Sequence, residues 1–122
     1  VIADDLTYYI SGPMTGIDDY NFPAFERVTQ ALRKQGKTVV SPHEVQHDDH
    51  GIPGSLHRTE YLRGDLLAML KECNAIVVLP GWLASWGAKL EIHVAEMLEF
   101  KAFIFDESEG ILVPVPGFSA AG

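Results

Sequence analysis

The chain has 122 residues, 47% of them hydrophobic, and a formal net charge of −8. That length supports one folded domain with a substantial core but not two, so 1–122 reads as a single domain with its core over about 8–113. The acidic balance argues against a general binder of the DNA or RNA backbone, and no apolar run approaches the ~20 residues of a membrane span. A small anionic ligand remains compatible, because backbone N–H groups at a helix start can hold a phosphate without a basic surface. The single cysteine, Cys73, excludes an internal disulfide framework and fits a reducing compartment. Asp4 and Asp5 stand where a signal peptide would need basic residues, so a cytoplasmic location is expected.

Val1 to Thr7 reads as a frayed lead-in. Tyr8-Tyr9-Ile10 has strand character and is stopped by Ser11-Gly12-Pro13-Met14-Thr15-Gly16. This loop is neither a P-loop nor the three-glycine dinucleotide fingerprint. It is either a backbone cradle for phosphate or a plain tight turn. A helix follows, with Asn21 or Phe22 at the cap, Pro23 in the first turn, Phe25, Val28, Ala31 and Leu32 as its apolar stripe, and Gly36 as its stop. Thr38-Val39-Val40 is the second strand.

His43 to His57 is a polar loop holding His43, His47, Asp48, Asp49 and His50. Its spacing matches no metal-ligand motif, and it reads as a substrate-covering loop rather than a metal site. Arg58 to Glu72 is a second helix, on which Asp65 sits among apolar residues. Taken alone, Asp65 is as readily an exposed acid near Arg63 or Lys71 as a site residue. Cys73 reads as a small buried hydrophobe.

The stretch from Ala75 to Phe100 is the most informative. Ala75-Ile76-Val77-Val78-Leu79 is uncharged and largely β-branched, as a strand buried on both faces should be. Pro80-Gly81 breaks it, Trp82 to Trp86 forms a loop, and from Gly87 the apolar residues Leu90, Val94, Met97 and Leu98 recur at helical spacing. Ser85 falls at the helix N-cap and Glu91 about a turn further in, so that Glu91 either faces the crevice beyond the strand ends or belongs to the exposed face with Glu96 and Glu99. His93 is expected at the surface. Lys101 to Phe105 is a fourth strand, Asp106 to Gly110 an acidic turn, and Ile111-Leu112-Val113 an edge strand confined there by Pro114 and Pro116. The tail Gly117 to Gly122 is expected to be disordered. The order predicts an α/β protein with a three-layer, Rossmann-like (flavodoxin-like) parallel sheet flanked by helices.

Tyr9-Ile10-Ser11-Gly12-Pro13, Asp65, and Ser85-Trp86-Gly87-Ala88-Lys89-Leu90-Glu91 with Ala95 after it together resemble the nucleoside 2-deoxyribosyltransferase superfamily over roughly Tyr8 to Phe105. Leu79-Pro80-Gly81-Trp82 is similar to a phage- and bacteria-associated branch. The resemblance implies that Glu91 is the nucleophile, that Asp65 assists at the base and that Tyr9 holds the nucleophile. Where nucleoside transferases carry an aspartate six positions before the nucleophile, this chain has Ser85, as nucleoside 5′-monophosphate N-glycosidases do. The implied substrate is therefore a (deoxy)nucleoside 5′-monophosphate, cleaved or transferred at its N-glycosidic bond. Ser85 and Gly87 would meet the phosphate, and Ser11, Gly12 and Gly16 would border the sugar or phosphate. Trp82 or Trp86 would stack on the base or seal a subunit interface. The pattern departs from the family at Thr15, in a region where some nucleotide hydrolases have a basic residue, and at Asn74, where an aspartate is common. No metal or other cofactor is implied, the partner is a small nucleotide or nucleoside, and assembly as a homodimer or larger is expected, with Trp82, Trp86 and Phe100 as an uncovered aromatic set. The alternatives are a nucleotide-binding or sensing module without turnover, and an interaction protein on the same fold.

Overall fold

The computed structural model describes residues 5–47, 52 and 55–117. The lead-in at 1–4, the loop positions Asp48, Asp49, His50, Gly51, Pro53 and Gly54, and the tail beyond Gly117 lie outside the described residues. The apolar run folds as β3 (Ala75–Val78), and every residue of it is buried. Around it stand β1 (Thr7–Ser11), β2 (Thr38–Val40), β4 (Lys101–Asp106) and β5 (Ile111–Pro114), in the order β2-β1-β3-β4-β5. The pairs β1/β2, β1/β3 and β3/β4 are parallel. β5 runs antiparallel to β4. The first four strands form the expected parallel sheet, and the edge strand β5 makes the whole sheet mixed. The turn between β4 and β5, closed by Gly110 N–H donating to Asp106 O at 2.7 Å, is too short for the crossover a parallel partner needs.

Three helices cover the sheet: α1 (Phe22–Lys34), α2 (Arg58–Glu72) and α3 (Trp86–Met97). Strand alternation divides the core between its two faces. Tyr8, Ile10, Ala75, Val77 and Leu79 pack against Phe25, Val28 and Leu32 of α1. Tyr9, Ile76 and Val78 pack on the other face with Met69 of α2 and with Ile92 and Ala95 of α3. Helix α1 stops at Gly36 (φ +84°), where Gly36 N–H donates to Arg33 O and Lys37 N–H to Leu32 O, the paired bonds of a glycine-terminated helix. Its start differs from expectation. Asn21 is the N-cap residue but is left-handed (φ 62°) and makes no side-chain cap; its Nδ2 instead donates to Pro13 O at 2.9 Å and ties down the loop after β1.

The buried face of α3 also differs from the predicted stripe. Ala88, Glu91, Ile92 and Ala95 face inward, while Met97 and Leu98 are exposed. Two alanines let the helix lie close to the sheet; of the predicted stripe Leu90 and Val94 are half-buried, Val94 against the second core cluster. Phe100 is buried and Trp82 half-buried against the second core cluster, so of the predicted aromatic set Trp86 alone is exposed. His93 is at the surface as expected.

Gly12, immediately after β1, is set by close approach: a Cβ there would sit 2.8 Å from Leu79 Cβ. Gly12→Ala is expected to lower stability by about 1–3 kcal/mol through overpacking, read as a lower urea midpoint. An unchanged midpoint would show that the strand ends yield freely.

Candidate active site

Tyr9 and Ser11 are two residues apart on β1, so both side chains leave the same face of the sheet. That face meets α3. Tyr9 Oη donates to Glu91 Oε2 at 2.6 Å, and Ser11 Oγ donates to Glu91 Oε1 at 2.7 Å. Each carboxyl oxygen of Glu91 thus has its own hydroxyl donor, and Glu91 is only 4% exposed. Burial pushes its carboxyl up to about 7; the Tyr9 and Ser11 hydrogen bonds pull downward, and the nearby charge of Asp65 adds to the rise. The Tyr9 phenol is raised well above its ordinary value, first by burial and then by Glu91, so it stays a donor.

Asp65 is buried on α2, away from solvent rather than paired with Arg63 or Lys71. Burial pushes its carboxyl up to about 8. Its partner is His47, from the segment after β2, whose Nε2 lies 2.9 Å from Asp65 Oδ1. The His47 ring stands edge-on to Tyr61 at 5.0 Å. Gly64 makes room for it, since a Cβ there would lie 2.9 Å from His47 Cδ2.

Glu91 and Asp65 both line a crevice of about 670 Å³ beyond the carboxyl ends of β1 and β3, the place where open α/β sheets take ligands. Gly12, Ser85, Gly87 and Trp86 line it too. Tyr9 and Ser11 are fully buried behind Glu91. Trp82 and Gly16 are not among its lining residues; Trp82 packs inward and Gly16 stands in open space. Ser85 caps α3 by accepting from Ala88 N–H at 3.2 Å, which leaves its own O–H proton free to donate. The N–H groups of Trp86 and Gly87 are first-turn donors without intrahelical partners.

Of two further lining residues, Arg58 was not singled out from the sequence and His47 was named only as part of the polar, substrate-covering loop. Arg58, in the first turn of α2, is the cation among the residues lining the crevice, and it stacks over the Trp86 ring at 4.9 Å. His47 lines an adjoining chamber of about 530 Å³ that shares Met14, Thr15, Pro42, Arg58 and Asp65 with the first. No local spacing marks either residue; they reach the site only through the fold.

Among the described residues, Glu26, His43 and Glu44 bring metal-type ligand atoms within 4.8 Å of one another. Their ligand atoms are already engaged. His43 contacts Glu26 and Ser41 at 2.6 Å through its two ring nitrogens, and Arg33 grips both oxygens of Glu44.

The sheet order, the helix layers and a crevice at the β1/β3 strand ends define an open α/β fold. The structure is similar to that of a 2-deoxyribosyltransferase from the psychrotolerant bacterium Bacillus psychrosaccharolyticus, with a TM-score of 0.60 and 20% identity over 81% of this chain and 71% of that one. That protein is described as a biocatalyst for the synthesis of antiviral and antitumoral nucleosides. Residues 6–104 match the family described as Domain of unknown function (DUF4406), and the chain belongs to that family. No match is found among curated proteins. Among the described residues no helix is long and apolar enough to cross a membrane.

Both buried acids have folded-state pKa values above their ordinary ones, 4.5 for Glu91 and 3.8 for Asp65. The folded state then holds protons that the unfolded chain has already lost, so ionising either acid weakens the fold. Their combined effect is a loss of stability as pH rises from near 4 to about 8, on the order of a few kcal/mol. Urea midpoints measured across that range should fall less steeply in Asp65→Asn and Glu91→Gln than in the wild type. Equal slopes would show that neither acid is held protonated by burial.

Proposed function

We propose that the protein cleaves, or transfers across, the N-glycosidic bond of a (deoxy)nucleoside 5′-monophosphate, with Glu91 as nucleophile. The observation that carries this reading is the buried Glu91 carboxyl, held by Tyr9 and Ser11 at a crevice that also holds Asp65. The likeness to a 2-deoxyribosyltransferase supports it, as does the resemblance of the surrounding motifs to monophosphate N-glycosidases.

In the first step a Glu91 carboxylate oxygen bonds to the anomeric carbon while the carbon–nitrogen bond breaks. The electron pair leaves with the base nitrogen, which takes a proton from Asp65. In the second step Asp65 takes a proton from water, or from an incoming base, as it attacks the anomeric carbon and frees Glu91. The two acids suit these roles: burial raises Asp65 and keeps a proton on it, while the two hydroxyl donors on Glu91 favour its charged form. Tyr9 and Ser11 fix the nucleophile's orientation. Ser85 Oγ–H, the first-turn N–H groups of α3 and Arg58 form the phosphate end. Gly87 leaves the approach open, and Trp86 offers a stacking face. Gly12 and Gly16 shape the loop beside the sugar. Exposed Leu67 and Leu70 on α2 and Met97 at the end of α3 support self-association as a homodimer or larger assembly.

Incubation with a panel of nucleoside monophosphates, with free bases separated by chromatography, tests the reading. Wild-type protein is expected to release base from at least one, and Glu91→Ala to slow release by a factor on the order of 10³ or more. An alanine variant as fast as wild type would remove Glu91 from the chemistry. Calorimetric binding of a nucleotide without any base release would instead favour a sensing module. Arg58→Ala should raise KM for the monophosphate at least tenfold, the loss of about one charge-assisted hydrogen bond, and leave the matching nucleoside unaffected. A parallel loss on both would place Arg58 outside phosphate recognition.

A further inference from the structure

We propose that His47 is a positioning residue for Asp65, donating its Nε2–H to Oδ1 so that Oδ2 is the oxygen that carries the transferable proton. This deepens the glycosidic reading and rests on it. The two side chains are 12% and 10% exposed, lie 2.9 Å apart, and come from different elements, the segment after β2 and the middle of α2. Three features hold the imidazole in that place. Tyr61 meets its ring edge-on, the absent Cβ of Gly64 leaves the space its Cδ2 occupies, and Asp65 takes its Nε2.

When Asp65 passes its proton to the departing base nitrogen, the carbon–nitrogen electron pair goes to that nitrogen and Asp65 is left as a buried carboxylate. With Oδ2 bare, Oδ1 keeps the His47 hydrogen bond, and the new negative charge is stabilised as it forms. The same donor makes Asp65 a stronger acid than burial alone would leave it. The ionisable groups facing Asp65 are His47 from the segment after β2, Glu91 from α3 and Tyr9 from β1, which both feel its charge, Arg58 and Tyr61 on its own helix, and His43 and Glu44 lining the adjoining chamber. Of these, His47 has the direct hydrogen bond.

The test is the pH profile of base release in wild type, His47→Ala and His47→Gln. The glutamine amide can place an N–H donor near the position of Nε2. Removing the donor should move the alkaline limb, where Asp65 loses its proton, upward by about one pH unit and slow release about tenfold at the optimum; His47→Gln should recover most of both. An alanine profile with unchanged limbs, or alanine and glutamine variants slowed alike, would overturn the proposal and leave His47 a packing residue. Nitrogen NMR of the wild-type His47 ring decides the point without a variant. Nε2 should remain protonated and hydrogen-bonded while Asp65 ionises, and a bare Nε2 in that range would overturn it. Should the wild type release no base from any nucleotide, the glycosidic reading fails, while the NMR titration still reports separately on the His47–Asp65 contact.

Discussion

A carboxyl group removed from water must be supplied with hydrogen-bond donors or it destabilises the fold, by several kcal/mol if it ionises alone. Glu91 is under that constraint, and the arrangement around it follows. Two hydroxyls, one for each carboxyl oxygen, come from alternate positions of β1. They can do so only because β1 lies beside β3, whose continuation is the helix that carries Glu91. The parallel register between Tyr9 and Ile76, and between Ser11 and Val78, places the donors at the height where α3 begins. Strand pairing, helix start and carboxyl satisfaction thus form one connected requirement.

The same geometry explains why a second acid can stand nearby without becoming equivalent. Glu91 has two hydroxyl donors, and they favour its charged form. Asp65 has one imidazole contact and no hydroxyl donor, and burial dominates there. The surroundings therefore act differently on two chemically similar side chains, as an acid and a nucleophile sharing one crevice would need. Their mutual repulsion adds to the separation, since the first to ionise makes the second ionisation harder.

Much of the fold is legible in the sequence because local signals agree with it. The continuous apolar run of β3, the glycine that ends α1 and the prolines that hold β5 at the edge each act over a few residues. The candidate site is legible at Glu91 and Tyr9 only because a known motif carries them. Periodicity alone misplaces the face of α3. Leu90, Val94, Met97 and Leu98 outweigh Ala88, Ile92 and Ala95 in apolar bulk, yet the smaller set is buried while Met97 and Leu98 are exposed and Leu90 and Val94 only half-buried. Close helix-to-sheet packing selects for small volume as well as hydrophobicity. On that true face Glu91 stands three residues after Ala88 and four before Ala95, and on α2 Asp65 stands four before Met69. An acid in the middle of a core stripe is the signal that periodicity would have supplied had the stripe been drawn correctly. Trp82 misleads for the opposite reason, since a tryptophan in a loop can turn inward against the core as easily as outward to a ligand.

His47 and Arg58 could not be found by spacing, because neither shares an element with Glu91. Arg58 reaches the crevice because α2 begins beside the start of α3, and its stacking on Trp86 holds a flexible guanidinium over a rigid face. In the resembling nucleotide hydrolases a basic residue in the loop after the first strand occupies the region where this chain has Thr15. A cation arriving from a different helix can meet the same anion, because a phosphate imposes charge and distance but not the chain position of its partner. The missing basic residue after Gly12 therefore counts less against a nucleotide ligand than a comparison of aligned positions suggests. What matters is whether some element brings a cation within reach of Ser85 and the first turn of α3, and in this fold α2 supplies one from the opposite wall.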